Sequence, residues 1–193
     1  MEDEPLSNRS LSERLIFDES DRGAALVGEA HLEGLLVKIL YAYLGSDNHT
    51  RKNASEPLLD SMGPLGSFSE KIRLCYALGF ITREQFEDIE IIRKLRNEFT
   101  HSTDPVDFTD KRIVTRMEEL EYSSYLRDRI KRYSLVDPKT GKHLYPPEHE
   151  MHQRGYIKYG KSLFAFAVEF LVNDLQEVLT QVCNHRHENG KEG

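Results

Sequence analysis

EPLLDSMGPLGSFSEKIRLCYALGFITREQFEDIEIIRKLRNEFTHS, residues 56–102, decides how the chain is read. Leu58 and Leu59 form a short apolar run behind Pro57, closed by Asp60. Gly63-Pro64-Leu65-Gly66 is a rigid turn, because proline fixes φ and glycine takes dihedrals that other residues avoid. Ser67 and Glu70 have capping-box spacing, as do Thr82 and Gln85, so each pair predicts a helix start. Phe68, Ile72, Cys75 and Tyr76 recur at helical spacing after the first. Ile91, Ile92, Leu95 and Phe99 follow the second. Gly79 stands where a left-handed C-cap belongs, with Phe80 behind it to fold back. The expectation is an αα-hairpin turning at Gly79-Phe80-Ile81.

The second helix ends Arg96-Asn97-Glu98-Phe99-Thr100-His101. Arg93, Asn97 and His101 are successive one-turn neighbours and make a polar stripe. Arg96 is offset from His101 by five residues. The two share a cleft only if the helix end bends or a partner completes it. Solvation is the plain reading, with His101 beside the helix C-terminus, where its protonated form is favoured.

The EPLLD run, the GPLG turn and KIRLCYALGFITREQFEDIE closely resemble the mannitol-operon repressor family of bacterial regulators. The resemblance runs more weakly from about Ala24 to Thr103. It implies an all-helical fold, a role in transcriptional regulation and no recognisable DNA-reading motif. Arg96 to His101 separately fits the R-x4-H pattern of HEPN-type ribonucleases. That resemblance implies Arg96 on a phosphate, Asn97 as an orienting group, His101 as general acid or base, and two copies facing across a dimer. The last third of the chain matches neither pattern, and Tyr145–Gln153 looks like a departure from the repressor family.

Composition bounds the rest. In 193 residues, charged residues are 31% and hydrophobic ones 38%, so one polar domain with a real core is expected. A formal net charge of −7 makes the chain a poor nonspecific binder of phosphate backbones. The two isolated cysteines, Cys75 and Cys183, fit a reducing cytoplasm, with Cys75 on an apolar face. Residues 1–10 lack the apolar core of a signal peptide. No apolar run reaches the roughly 18 residues of a membrane span. With no secretory signal, the sequon Asn48-His49-Thr50 carries no meaning.

Residues 1–9 are expected to be disordered, and Ser10/Glu13 is a further capping box ahead of Leu11, Leu15, Ile16 and Phe17. Ser20 or Asp21 caps a helix to about Leu44, with Gly28 and Gly34 marking close packing. Glu29 and Glu33 share a face there and His31 does not, so structural roles are favoured over a metal. Residues 45–55 read as a polar connection. Thr109 or Asp107 caps a helix through about Leu120, extending toward Tyr133. Its Lys111, Arg112, Arg116, Arg127, Arg129, Lys131 and Arg132, interleaved with Tyr122, Tyr125 and Tyr133, form the best candidate nucleic-acid surface. A solvated face is the preferred reading, since Glu118, Glu119, Glu121 and Asp128 dilute the charge. Residues 136–154 read as a long loop whose His143, His149 and His152 lack zinc-motif spacing. From Gly155 or Tyr156 to about Val182 runs the strongest helix, on Phe164, Ala167, Val168, Leu171, Leu175, Val178, Leu179 and Val182. Phe166 and Phe170 widen its face. Residues 184–193 are expected to fray.

No alternating strand or phosphate loop is visible. The expected architecture is all-α: one bundle of about five or six helices over residues 10–183. The expected function is that of a transcriptional regulator acting through a protein partner. It has no cofactor, metal, catalytic residue or membrane contact, and direct DNA contact is left open. The runner-up is a metal-independent ribonuclease using Arg96, Asn97 and His101. A homodimer is expected from the widened last helix and the prevalence of two-fold assemblies.

Overall fold

A computed structural model describes residues 10–45, 48–102, 105–122 and 156–189. The expected disorder of residues 1–9, the helix extension to Tyr133 and the loop at 136–154 lie outside the described residues. Every regular element among the described residues is helical: α1 Leu11–Phe17, α2 Asp21–Leu44, α3 Asn48–Thr50, α4 Glu56–Leu59, α5 Phe68–Ala77, α6 Arg83–His101, α7 Lys111–Glu118 and α8 Tyr156–Asn189. A π-helical turn, Arg51–Ser55, joins α3 to α4.

α2 is the central element. It packs on α1, α5, α6 and α8, most extensively on α8. Ala25, Leu32, Leu36, Ile39 and Leu40 are fully buried around it, as a helix wrapped by neighbours requires. Against it lie Ile72 and Cys75 of α5, Ile89, Ile92 and Leu95 of α6, and Phe164, Val168 and Leu171 of α8, all fully buried. Gly28 lets α2 and α8 approach, because a Cβ there would stand 3.0 Å from the Phe164 ring and 3.2 Å from Val168. Gly34, expected to do the same, faces open space and packs on nothing.

The local start and stop signals form as the sequence predicts. The capping boxes at Ser10/Glu13, Ser67/Glu70 and Thr82/Gln85 are all present. Ser20, not Asp21, caps α2 by accepting from the Gly23 N–H at 2.9 Å. Gly79 has φ 75°. Behind it the Phe80 N–H donates to the Cys75 carbonyl at 2.9 Å and the Gly79 N–H to the Tyr76 carbonyl at 3.0 Å. Both bonds of the Schellman motif are therefore made, and α5 and α6 form the expected hairpin.

Three expectations change. The polar connection at 45–55 is helical from Asn48 onward, because Asn53 donates to the His49 carbonyl at 2.8 Å and Ser55 is buried against the body. α7 is capped by Asp110 rather than by Asp107 or Thr109; Asp107 instead accepts from the Thr109 N–H at 2.7 Å in the turn before it. α8 continues past Val182 to Asn189, and Arg186 donates to the Ala42 carbonyl at 2.7 Å. That carbonyl is one of the unsatisfied last four of α2, so the bond gives the end of α8 a partner.

Candidate functional site

The polar stripe of α6 is the first place to look. Arg93 turns to Glu90, with Nη2 at 2.8 Å and Nε at 3.2 Å from the carboxylate. Arg96 reaches across to α2, where its Nε lies 2.5 Å from Oε2 of Glu29. The N–H does not point along that line, so the contact is an ion pair without an aligned hydrogen bond. Nη1 of Arg96 donates to Asn97 Oδ1 at 3.1 Å. Glu29 is buried, and burial pushes its carboxyl above the usual range more strongly than Arg96 draws it down. His101 stands exposed in the last turn of α6, and Arg22 of α2 donates to the neighbouring Thr100 carbonyl at 3.3 Å. Arg96 is thus joined with Glu29 and Asn97, and its charge is met inside the fold rather than presented beside His101.

The other α2 candidates separate in the same way. Glu33 pairs with Lys71 of α5 at 2.7 Å, while His31 is exposed. Lys71 is itself buried, and its Nζ also donates to the Gly66 carbonyl at 2.8 Å. This lysine fixes the EPLLDSMGPLG segment to the body. Within that segment the Gly63 N–H bonds the Asp60 carbonyl at 2.7 Å and the Leu65 N–H bonds the Leu58 carbonyl at 2.9 Å. A Cβ at Gly66 would stand 2.6 Å from the carbonyl oxygens of Asp60 and Ser61. The most recognisable motif in the sequence is therefore a tightly wound structural turn.

The candidate nucleic-acid surface on α7 is also partly consumed. Arg116 pairs with Glu98 of α6 at 2.7 Å and Arg112 with its own N-cap, Asp110, at 3.0 Å. Tyr122 stacks on Phe170 of α8, ring centroids 5.3 Å apart, and its hydroxyl donates to Asp174. The extra aromatic width of α8 is therefore used within the chain at Phe170, which removes part of the ground for a dimer surface. Arg127, Arg129, Lys131, Arg132, Tyr125 and Tyr133 lie outside the described residues.

One group escaped the reading of the sequence. Asp88 of α6 is 1% exposed. Its carboxylate accepts the N–H groups of Glu121 at 2.8 Å and Tyr122 at 3.4 Å, holding the segment after α7 against α6. Burial, partly offset by those two bonds, pushes its pKa to about 6. The available signal was an acid in register with Ile92, Leu95 and Phe99 on the apolar stripe. Beside Asp88 lies a shallow groove of about 480 Å³ between α6 and residues 119–121. Gln85 links this corner to α8 by donating to Asp174 at 2.9 Å.

Known proteins resemble this chain well beyond its central third. The mannitol operon repressor of Escherichia coli strain K12 is 35% identical over 113 residues, 58% of this chain and 57% of that protein. The match to the repressor of strain CFT073 has the same values. The alignment thus spans a little over half the length of these curated relatives. The MtlR chain in the X-ray structure of the MtlR–HPr complex from Escherichia coli superposes with a TM-score of 0.64 at 25% identity. It covers 86% of this chain and 95% of that one. YggD from Shigella flexneri 2a, described as a possible transcriptional regulator, shares the fold alone: TM-score 0.65 at 17% identity, over 91% of this chain and 99% of that one. The family model described as mannitol repressor matches residues 11–176, extending on both sides of the stretch from Ala24 to Thr103. Carrying that family's match over most of its length, and its all-helical fold, the chain belongs to the mannitol repressor family.

Proposed function

We propose that this chain is a cytoplasmic transcriptional regulator that works by holding another protein rather than by gripping DNA through a standard reading motif. The family match over residues 11–176 carries this reading. The structural neighbour at 25% identity was solved bound to HPr, which supports a protein partner of that kind for this chain. The charge distribution supports it further. Arg93, Arg96, Arg112 and Arg116 each have a carboxylate within 3.0 Å, and the net charge is −7. A surface that holds DNA by itself needs cations free to replace condensed counterions. On this reading the chain is a regulator and not an enzyme, its working unit is the helical domain of residues 10–183, and Arg96 is a strut between α6 and α2.

Titration of the full chain with purified Escherichia coli HPr by calorimetry tests the reading, with a mobility-shift assay on the chain's own upstream DNA run beside it. The expected result is saturable binding of HPr and no retention of DNA by the chain alone at physiological salt. DNA held tightly without a partner, and no HPr binding, would overturn it.

A further inference from the structure

α2 is wrapped by its neighbours on most sides, and the side it leaves open has a distinct composition. Ala30, His31, Gly34 and Lys38 are all exposed, and Gly34 lies one turn from each of the other three, so they share one strip of the helix. A Cβ at Gly34 would meet nothing within 4 Å, so the helix backbone lies bare at the middle of the strip. α1 borders it, because the exposed Arg14 is close enough to act on the charge of His31. One turn along α1 from Arg14 stands Phe17, 66% exposed. Partial burial, then the positive charges of Arg14 and Lys38, hold the His31 imidazole below its ordinary value. Among the described residues no carboxylate forms an ion pair with Arg14, His31 or Lys38. A chain of net charge −7 thus keeps an unneutralised positive patch around a small-residue helix face.

We propose that this α1–α2 face is a second protein-contact surface of the regulator, and that it receives an acidic amphipathic helix of a partner protein. Charge selects the carboxylates: Asp or Glu side chains of the partner meet Arg14 and Lys38, which have no internal anion to give up. Shape selects the helix. With no side chain at Gly34 and one methyl at Ala30, a ridge of a second helix can settle close to α2. Phe17 supplies an apolar edge for the partner's apolar face. The strip shares no residue with the groove beside Asp88, so one does not block the other. A nucleic acid suits the face less well, because two permanent cations neutralise too few phosphates to hold it. A second copy docked face to face would set Arg14 and Lys38 against their own kind, since a two-fold contact repeats one patch on both subunits.

This inference rests on the regulator reading above, and HPr binding is its control. The probe is a fluorescein-labelled amphipathic peptide of about 18 residues with Glu on its polar face and Leu on its apolar face, beside a twin with Gln for every Glu. Fluorescence anisotropy with the full chain is expected to show the Glu peptide held at least about tenfold more tightly than the Gln twin. Its affinity should fall between about 50 and about 300 mM salt, as screening shortens the reach of the patch. Arg14→Glu combined with Lys38→Glu should weaken it about tenfold or more, and Gly34→Leu, which fills the strip, several-fold. Lys52→Glu combined with Lys111→Glu makes the same change in net charge elsewhere and should stay within about twofold of wild type. Thermal melts and HPr binding check each variant's fold. No binding of the Glu peptide by wild type, equal binding of its Gln twin, or equal losses in the two double reversals would overturn the assignment. So would an oligo-dT strand of about 20 nucleotides held more tightly than the peptide through the same two cations, or self-association in light scattering that Arg14→Glu with Lys38→Glu abolishes. Any of these with HPr bound normally sinks this surface and leaves the regulator reading standing. Wild type that binds neither HPr nor the peptide sinks both.

Discussion

Replacing Asp88 with asparagine should change how stability depends on pH, and by a calculable amount. The carboxyl is 1% exposed, and burial lifts its pKa from 3.8 to about 6 against the pull of two backbone N–H groups. A raised pKa means that the native state binds the proton more tightly than the unfolded chain does. Between pH 3.8 and about 6 the native state then carries more proton at this site, so stability falls as pH rises through that window and levels above it. At about 1.4 kcal/mol per pH unit, the difference amounts to about 3 kcal/mol. The amide introduced by Asp88→Asn does not titrate. Urea unfolding followed by circular dichroism, at a series of pH values, should therefore show the variant gaining most of that difference, upward of about 2 kcal/mol, on wild type from pH ~4 to pH ~7.5. The comparison with wild type cancels the other titrating groups, including His31 and Glu29. A difference that stays constant across that range would refute the reasoning. So would one that moves in favour of wild type as pH rises, because the two N–H bonds would then outweigh burial and the carboxyl would titrate below its ordinary value.

Gly34→Ala should raise stability by about 1 kcal/mol, since the new methyl meets open space and the helix gains a better former. Gly28→Ala should lower it by about 1–2 kcal/mol, because a Cβ 3.0 Å from the Phe164 ring forces α2 and α8 apart; thermal melts of the pair read both signs at once. Lys71→Met should cost about 2 kcal/mol by stranding the Gly66 carbonyl and Glu33, and limited proteolysis should then cut first within residues 60–66. RNA incubated in EDTA with wild type and with folded His101→Ala should survive equally in both. Cleavage by wild type that the variant loses would restore the ribonuclease role of Arg96, Asn97 and His101.

What was legible in the sequence is what closes over a few residues. A capping box spans one turn, and the Schellman motif at Gly79 needs only the six residues from Cys75 to Phe80. Each therefore leaves its whole cause in a short string, and all of them formed. The apolar periods of α6 and α8 were readable for the same reason. The irregular backbone at Arg51–Ser55 was not, because polar residues serve a loop and an exposed helical turn equally well. Nor was the fate of single charges. Asp107, Thr109 and Asp110 are each competent caps, and the choice among them depends on where the chain enters the bundle. Asp88 finds its partners 33 and 34 residues downstream, and Arg96 finds Glu29 on another helix. Spacing along one helix says nothing about such pairings. The R-x4-H pattern was visible, and so were Glu29 and Glu33 as candidate partners for its arginine; only the packing of α2 on α6 decides that Glu29 takes Arg96 while Glu33 goes to Lys71.

The Glu29 carboxylate bears on function as well as on fold. A phosphate that took the Arg96 guanidinium from Glu29, 2.5 Å away and 7% exposed, would leave that carboxylate without its partner. Removing one partner of a buried pair leaves the other charge uncompensated, at a cost of about 3–5 kcal/mol when burial is complete. Glu29 would escape part of that cost by taking up a proton, since its pKa already lies above the ordinary range. Phosphate binding through Arg96 should therefore be coupled to proton uptake and grow stronger as pH falls. A titration with a short RNA at neutral and at acid pH reads this coupling: binding that does not strengthen in acid removes the Arg96–Glu29 pair from any phosphate site.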